Sequence, residues 1–333
     1  MKSAPIFLPS QSPNHERDIT VTPIEIFLVI LLCLALTVGI VWFAVCIHLF
    51  RFAFLRREKQ GRNVTVFDPE TEPGLTIRKG VDYADATPRE TVSITAHDGV
   101  RLVGHLYDRA DANATIILFH GYRSFGENDF GCVLSYYYEE RGMRVLLVDQ
   151  RAHGESEGKY ITYGILERYD CLCWAEYTAA RFLGESIILD GLSMGSTTVM
   201  MASALPLPAE VKCIVADCGF TSPDAILRKV GRDMRVPVSL FLGGVYFLCR
   251  TVGHFDPLAT TAPLSLAENH LPVLMIHGTG DDFVPYEMSL ENAEAGGERV
   301  RLVTVEGAGH GMSYLTEPDS VKNALATFLS EYV

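Results

Sequence analysis

The chain has 333 residues, 48% of them hydrophobic and 21% charged, with a formal net charge of −13. It is too apolar to be disordered, and it lacks repeats and long low-complexity tracts, which excludes solenoids and linker arrays. From residue 63 onward, 21 basic side chains face 37 acidic ones, a net charge of −16 with no basic stripe interleaved with aromatics, so binding to a nucleic-acid backbone is excluded.

Residues 1–25 are a mixed N-terminal segment. They precede 22 residues without a charge, 26–47, roughly 33 Å of helix at about 1.5 Å per residue, enough to cross a bilayer core. The run has no polar stripe of the kind a buried core helix carries, and a cleaved signal peptide would be shorter and nearer the start. A transmembrane helix is therefore expected at 26–50. Arg51, Arg56, Arg57, Lys59 and Arg62 follow the run and only Lys2 and Arg17 precede it, which puts the C-terminal part on the cytoplasmic side of a cell membrane. Cys33 and Cys46 lie in the run; Cys171 and Cys173 are expected to be buried thiols, and no CxxC pair suggests a metal site.

Residues 51–90 are basic, then polar with prolines, and are expected to be a juxtamembrane segment and tether. From 91 to 333, short β-rich runs alternate with helical stretches. The runs 91–99 and 101–108 suit an antiparallel pair, and 115–121, 144–149, 186–191, 212–219, 272–278 and 301–310 are strands, most of them of the buried type. Helices are expected at 127–141, 163–183, 194–205, 285–295 and 319–332. The pattern predicts an α/β fold: a mostly parallel eight-stranded sheet with helices on both faces, whose ligands collect at the carboxyl ends of the strands. Between Asp217 and Pro272 lie 54 residues, far more than a crossover needs, so a small helical lid is expected at about 220–270. Within it, residues 238–249 are apolar enough to cover a greasy pocket, to lean on a bilayer, or to pack as an ordinary helix.

Gly191-Leu192-Ser193-Met194-Gly195 follows one buried strand and opens a helix, the context in which a serine hydroxyl projects from a sharp turn as a nucleophile. Gly191 and Gly195 allow the close backbone approach this turn needs. A base must accept the hydroxyl proton, and His310, in Gly307-Ala308-Gly309-His310-Gly311 after the last strand, lies where it can. His105, His153, His254 and His277 are less suitably placed. An acid must orient the imidazole: Asp281 and Asp282 lie just past a buried strand, Asp217 ends the strand before it, and spacing alone does not choose among them. Backbone amides of Met194 and of Tyr122, the latter in the loop His120-Gly121-Tyr122 with Gly121 giving clearance, are the expected oxyanion donors.

The set of HG at His120, DQRAHGES at 149–156, GLSMG at 191–195, HGTGDDFVP at 277–285 and GAGHG at 307–311 resembles the α/β-hydrolase superfamily over about residues 91–333. It is most similar to a membrane-anchored bacterial branch related to serine aminopeptidase-like and monoacylglycerol-lipase-like hydrolases. The resemblance implies that Asp281 is the acid, and that Asp149 and Arg151 brace their loop. Where the family often has a third glycine after the elbow, this chain has Ser196, which alters the packing beneath it.

The expected function is a membrane-tethered serine hydrolase that cleaves an ester, thioester or amide through an acyl-enzyme. An acyltransferase or peptidase with the same triad, and an inactive membrane-bound binding protein, are the alternatives. The substrate is expected to be a small acyl compound, lipophilic if the apolar lid covers it. No cofactor, metal or nucleic-acid partner is expected.

Overall fold

The structure, a computed structural model, describes residues 22–57 and 70–333. Apart from residues 22–25, the N-terminal segment lies outside the described residues, as do Lys2, Arg17, Lys59 and Arg62. Helix α1 (Pro23–Phe54) starts where Thr22-Pro23-Ile24-Glu25 forms a capping box: the Thr22 amide donates to the Glu25 carboxylate at 2.7 Å and the Glu25 amide donates to Thr22 Oγ1 at 3.3 Å. Among the described residues it is the one helix long and apolar enough to cross a membrane. The chain divides after Val45 into two compact units. The first holds the part of α1 whose side chains, such as Ile24, Leu34 and Ile40, are exposed. The second starts at Cys46, well before the expected domain start at 91.

The helices of the second unit are α2 (Glu72–Ala86), α3 (Gly126–Ser135), α4 (Glu167–Arg181), α5 (Met194–Ala202), α6 (Pro223–Asp233), α7 (Leu242–Thr251), α8 (Ala262–Glu268), α9 (Tyr286–Gly296), α10 (Ser313–Thr316) and α11 (Pro318–Tyr332). Its strands are β1 (Glu90–Thr95), β2 (Arg101–Tyr107), β3 (Ala114–Phe119), β4 (Arg144–Asp149), β5 (Ser186–Leu192), β6 (Val211–Asp217), β7 (Val273–Gly278) and β8 (Val300–Val305). They form one eight-stranded sheet in the order β1-β2-β4-β3-β5-β6-β7-β8. The β1–β2 and β2–β4 pairs are antiparallel and the rest are parallel. Alternation along each strand feeds two cores. In β3, Ile117 and Phe119 join the core under α4, α5 and α8, while Ile116 and Leu118 join the one under α3 and α11.

Helix α2 corrects the expected tether. Thr71 caps it, its oxygen accepting the Gly74 amide at 3.3 Å, and it buries Ile77, Gly80 and Ala84. These small residues carry little apolar signal in sequence, which is why the segment reads as polar. They matter through close approach: a Cβ at Gly80 would lie 2.5 Å from the Gly131 carbonyl carbon in α3, and one at Gly131 would lie 2.6 Å from that of Gly80.

The expected lid is smaller than the long connection. Ala262 and Leu266 of α8 belong to the sheet core, which leaves α6 and α7 over the strand ends. Of residues 238–249, Leu242, Val245, Tyr246, Leu248 and Cys249 are buried in a third cluster that also holds Cys46, Phe50 and Phe54 of α1, so the segment is a packed helix, with Leu240 and Phe247 exposed.

Gly80→Val should force α2 off α3 and cost about 1–3 kcal/mol, read as a lower urea midpoint at an unchanged m-value. An unshifted midpoint would show that the Gly80–Gly131 contact does not hold α2 to the domain.

Candidate active site

Ser193 sits between β5 and α5 with φ 56° and ψ −113°, a region an L-residue enters only when its surroundings impose it, at a cost on the order of 1–3 kcal/mol. The imposition is visible. A Cβ on Gly191 would lie 2.2 Å from the Gly195 carbonyl oxygen, and one on Gly195 would lie 1.7 Å from that of Phe119 at the end of β3. The Ser193 amide donates to the Asp217 carbonyl at 2.8 Å, fastening the turn to β6. Met194 opens α5, so its amide belongs to the first turn, where no intrahelical acceptor exists.

Ser193, His310 and Asp281 form a hydrogen-bonded row. His310 Nε2 lies 2.9 Å from Ser193 Oγ, and its Nδ1 lies 2.7 Å from Asp281 Oδ2. Burial by itself would push the Asp281 pKa up, but hydrogen bonds from His277 and His310 and the backbone amide of Val284 hold it well below the usual carboxylate range. Its Oδ1 accepts the amides of Phe283 and Val284 at 2.9 and 2.8 Å. The two alternative acids are placed elsewhere. Asp282 is exposed, its backbone carbonyl accepting from Lys229 at 2.5 Å, and Asp217 accepts from Ser313 Oγ at 3.3 Å.

The loop after β3 is braced from below. The Gly121 amide donates to Asp129 Oδ2 at 2.7 Å, which commits that amide, so that of the two it is the Tyr122 amide that remains as the expected donor. Position 121 faces Ser193 so closely that a Cβ there would lie 3.4 Å from the serine Cβ. His120 Nε2 accepts the Gln150 amide at 3.1 Å, leaving Nδ1 to donate to the Gly121 carbonyl at 2.8 Å. His153 repeats the arrangement, Nε2 accepting the Arg123 amide at 3.0 Å and Nδ1 donating to the Arg151 carbonyl at 2.9 Å. Burial, with His120 beside it, drives the His153 pKa well below the ordinary histidine value, so its ring stays neutral. Asp149 accepts the Glu155 amide at 2.7 Å, and Arg151 is held by Asp170 and Asp98 at 2.5–2.9 Å.

Local sequence says little about what several of these residues touch. His277 lies 3.1 Å from Asp281 Oδ2 and 2.5 Å from Ser289 Oγ, and its place in the HGTGDD stretch was the only available signal. Asp129 has none, since it lies inside a helix. Ser196 is fully buried, its Oγ has no hydrogen-bond partner, and a Cβ at Gly219 would lie 2.4 Å from that oxygen.

Two cavities meet at Ser193. One, of about 580 Å³, reaches inward to Tyr137, Asp190 and Asp217. The other, of about 220 Å³, runs between the end of α1 and the α6–α7 lid. Burial raises Asp190 to about 7, partly offset by the Tyr137 hydroxyl at 2.8 Å and reinforced by Asp217, itself raised to about 6 by burial.

Ser196→Ala removes an unpaired buried hydroxyl and should raise stability by about 1 kcal/mol; a lowered melting temperature would mean the oxygen is solvated or bonded. A carboxyl whose folded pKa is raised contributes stability below its unfolded value, near 4, and loses it as pH rises through the folded pKa. Asp190→Asn should therefore raise the melting temperature more at pH 8 than at pH 4, and an equal shift at both would contradict the raised pKa.

The family described as alpha/beta hydrolase fold matches residues 114–251, and the one described as TAP-like protein matches residues 247–331. The YqkD protein of Bacillus subtilis is 24% identical over 274 residues, covering 81% of this chain and 88% of its own. The bifunctional esterase/perhydrolase of Acinetobacter calcoaceticus is 23% identical, covering 71% and 98%. Among solved structures, the Pyrococcus furiosus esterase Pf2001 superposes with a TM-score of 0.62 at 23% identity, covering 82% of this chain and 97% of its own. At such identities the solved structure speaks for the fold, and the two adjoining family matches cover most of the sheet and the lid. The chain therefore belongs to the α/β-hydrolase superfamily, and its fold is that of a hydrolase.

Proposed function

We propose that this protein is a membrane-tethered serine esterase that works through an acyl-enzyme, with Ser193 as nucleophile, His310 as base and Asp281 as acid. The observation that carries this reading is the continuous row Ser193 Oγ, His310, Asp281, with contacts of 2.9 and 2.7 Å from three strand-end loops. Ser193 Oγ attacks the ester carbonyl carbon as His310 Nε2 takes its proton, and the carbonyl π pair moves onto oxygen. The amides of Tyr122 and Met194 receive that oxyanion. The tetrahedral adduct collapses, the carbon–oxygen bond to the alcohol breaks, and His310 returns the proton to the leaving alkoxide. Water then attacks the acyl-serine by the same route, releasing the acid and restoring the hydroxyl. Asp281 stays ionised throughout, because its hydrogen bonds favour the charged form.

Hydrolysis of an ester is supported by the esterases among the relatives and structural neighbours. Tethering is supported by α1, apolar over more than a bilayer's thickness. Arg51 and Arg57, exposed just after the apolar run, support a cytoplasmic domain, which protease protection in spheroplasts would test.

Ser193→Ala should abolish labelling by a fluorophosphonate probe and lower kcat at least ~10³-fold. Asp281→Asn should lower kcat by about 10⁴-fold, and Asp282→Asn by less than about twofold. Undiminished labelling of the serine variant, or a larger loss at 282 than at 281, would sink the assignment.

A further inference from the structure

The smaller cavity at Ser193 has an unusual wall. Leu49, Phe52 and Phe54 of α1 form one side, with Leu227 and Val230 of α6 and Val245 of α7 opposite. Of the polar side chains around it, Ser193 opens into the cavity, while Tyr122, Tyr163 and Arg123 bond the end of α1 and leave only the Arg123 Nε buried without a partner. A helix C-terminus leaves its last carbonyls without intrahelical donors, and here the domain supplies them. Tyr122 and Tyr163 hydroxyls both donate to the Ala53 carbonyl, at 2.8 and 3.1 Å. The Arg123 guanidinium donates to the Phe52 carbonyl, and the Ile161 amide donates to that of Phe54 at 2.7 Å. Arg56 donates to the Ser156 and Gly154 carbonyls at 2.5 and 2.7 Å, and its amide to the Lys159 carbonyl at 2.9 Å. The end of α1 is thus built into the domain, and one of its fastenings, Tyr122, lies in the loop beside Ser193.

We propose that residues 49–54 of α1 are a wall of the acyl-binding pocket, and that the substrate is a bilayer-dissolved ester whose aliphatic acyl chain enters between α1 and the lid. This rests on the assignment of Ser193 as nucleophile. Two observations choose a lipid chain over other occupants. The lining is mostly apolar, and the hydroxyls of its two tyrosines are already bonded to the Ala53 carbonyl. Phe52, 40% exposed at the outer edge, follows the end of the uncharged run at Ile47 by five residues, about 8 Å of helix. The mouth thus opens in the headgroup layer just outside the acyl chains, and Met234, also exposed, continues the apolar lining.

The test uses the full-length protein in nanodiscs and compares kcat/KM for p-nitrophenyl decanoate and acetate, so that partitioning of the esters cancels between variants. Leu49→Trp on α1 and Val230→Trp on the lid, each half-filling the channel from one side, should lower the decanoate-to-acetate ratio at least about tenfold. Leu183→Trp, at an exposed position away from the cavity, should leave it unmoved. An unchanged ratio in both channel variants, while Ser193 still reacts with a fluorophosphonate, overturns the proposal and leaves the nucleophile standing. Failure of wild-type Ser193 to react overturns the esterase assignment itself. A measurement without variants guards against misfolding: corrected for partition, a decyl fluorophosphonate should modify wild-type Ser193 at least about tenfold faster than an ethyl one, and parity overturns the acyl pocket.

Discussion

The site depends on one backbone contact, between the first turn of α5 and the end of β3, so close that a methyl group at residue 195 would lie 1.7 Å from the Phe119 carbonyl oxygen. Only glycine permits this approach, and the approach fixes Ser193 at φ 56° with its hydroxyl above the sheet. The same contact holds Met194 at the start of α5, while the loop after β3 that carries Tyr122 is held by Asp129. His310 and Asp281 have only to reach a point already fixed, and they do so from the loops after β8 and β7.

Buried carboxylates near this point serve opposite ends. Asp281 is surrounded by donors, two backbone amides and two imidazoles, so it remains charged despite burial. Asp190 has a single hydroxyl partner and an acidic neighbour, and burial wins. The difference lies in how many donors the fold aims at each carboxylate, since both are buried, Asp190 within β5 and Asp281 just past β7. The loop after β3 follows the same logic, with two buried histidines and Asp129 taking up the amides and carbonyls a tight loop leaves open.

The end of α1 ties two levels of the molecule together. A helix that in sequence is only an apolar run with basic residues after it supplies, in its last two turns, part of a packed cluster with α7 and part of a cavity that reaches Ser193. Phe54 lies within 5.4 Å of the Tyr163 ring, which stacks on Tyr122 at 5.0 Å.

The sheet, most of its strands and helices, the elbow and His310 were legible because each rests on a local pattern: buried runs of alternating faces, helical periodicity, and glycines where backbone must touch backbone. Spacing alone could not choose among Asp281, Asp282 and Asp217; resemblance favoured the first, and of the three it is Asp281 whose carboxylate hydrogen-bonds His310. Helix α2 was hidden because its buried face is made of Ile77, Gly80 and Ala84, whose role is closeness rather than hydrophobic bulk. His277, Asp129 and the α1 wall were hidden because their partners lie anywhere from a few to more than a hundred residues away. By itself, then, the sequence determined most of the elements and the residue types suited to acyl chemistry, since those depend on neighbours along the chain. Which side chains meet, which carboxylates stay charged and what lines the cavities were decided only by tertiary structure, because donors, dielectric and free space are set by segments distant in sequence.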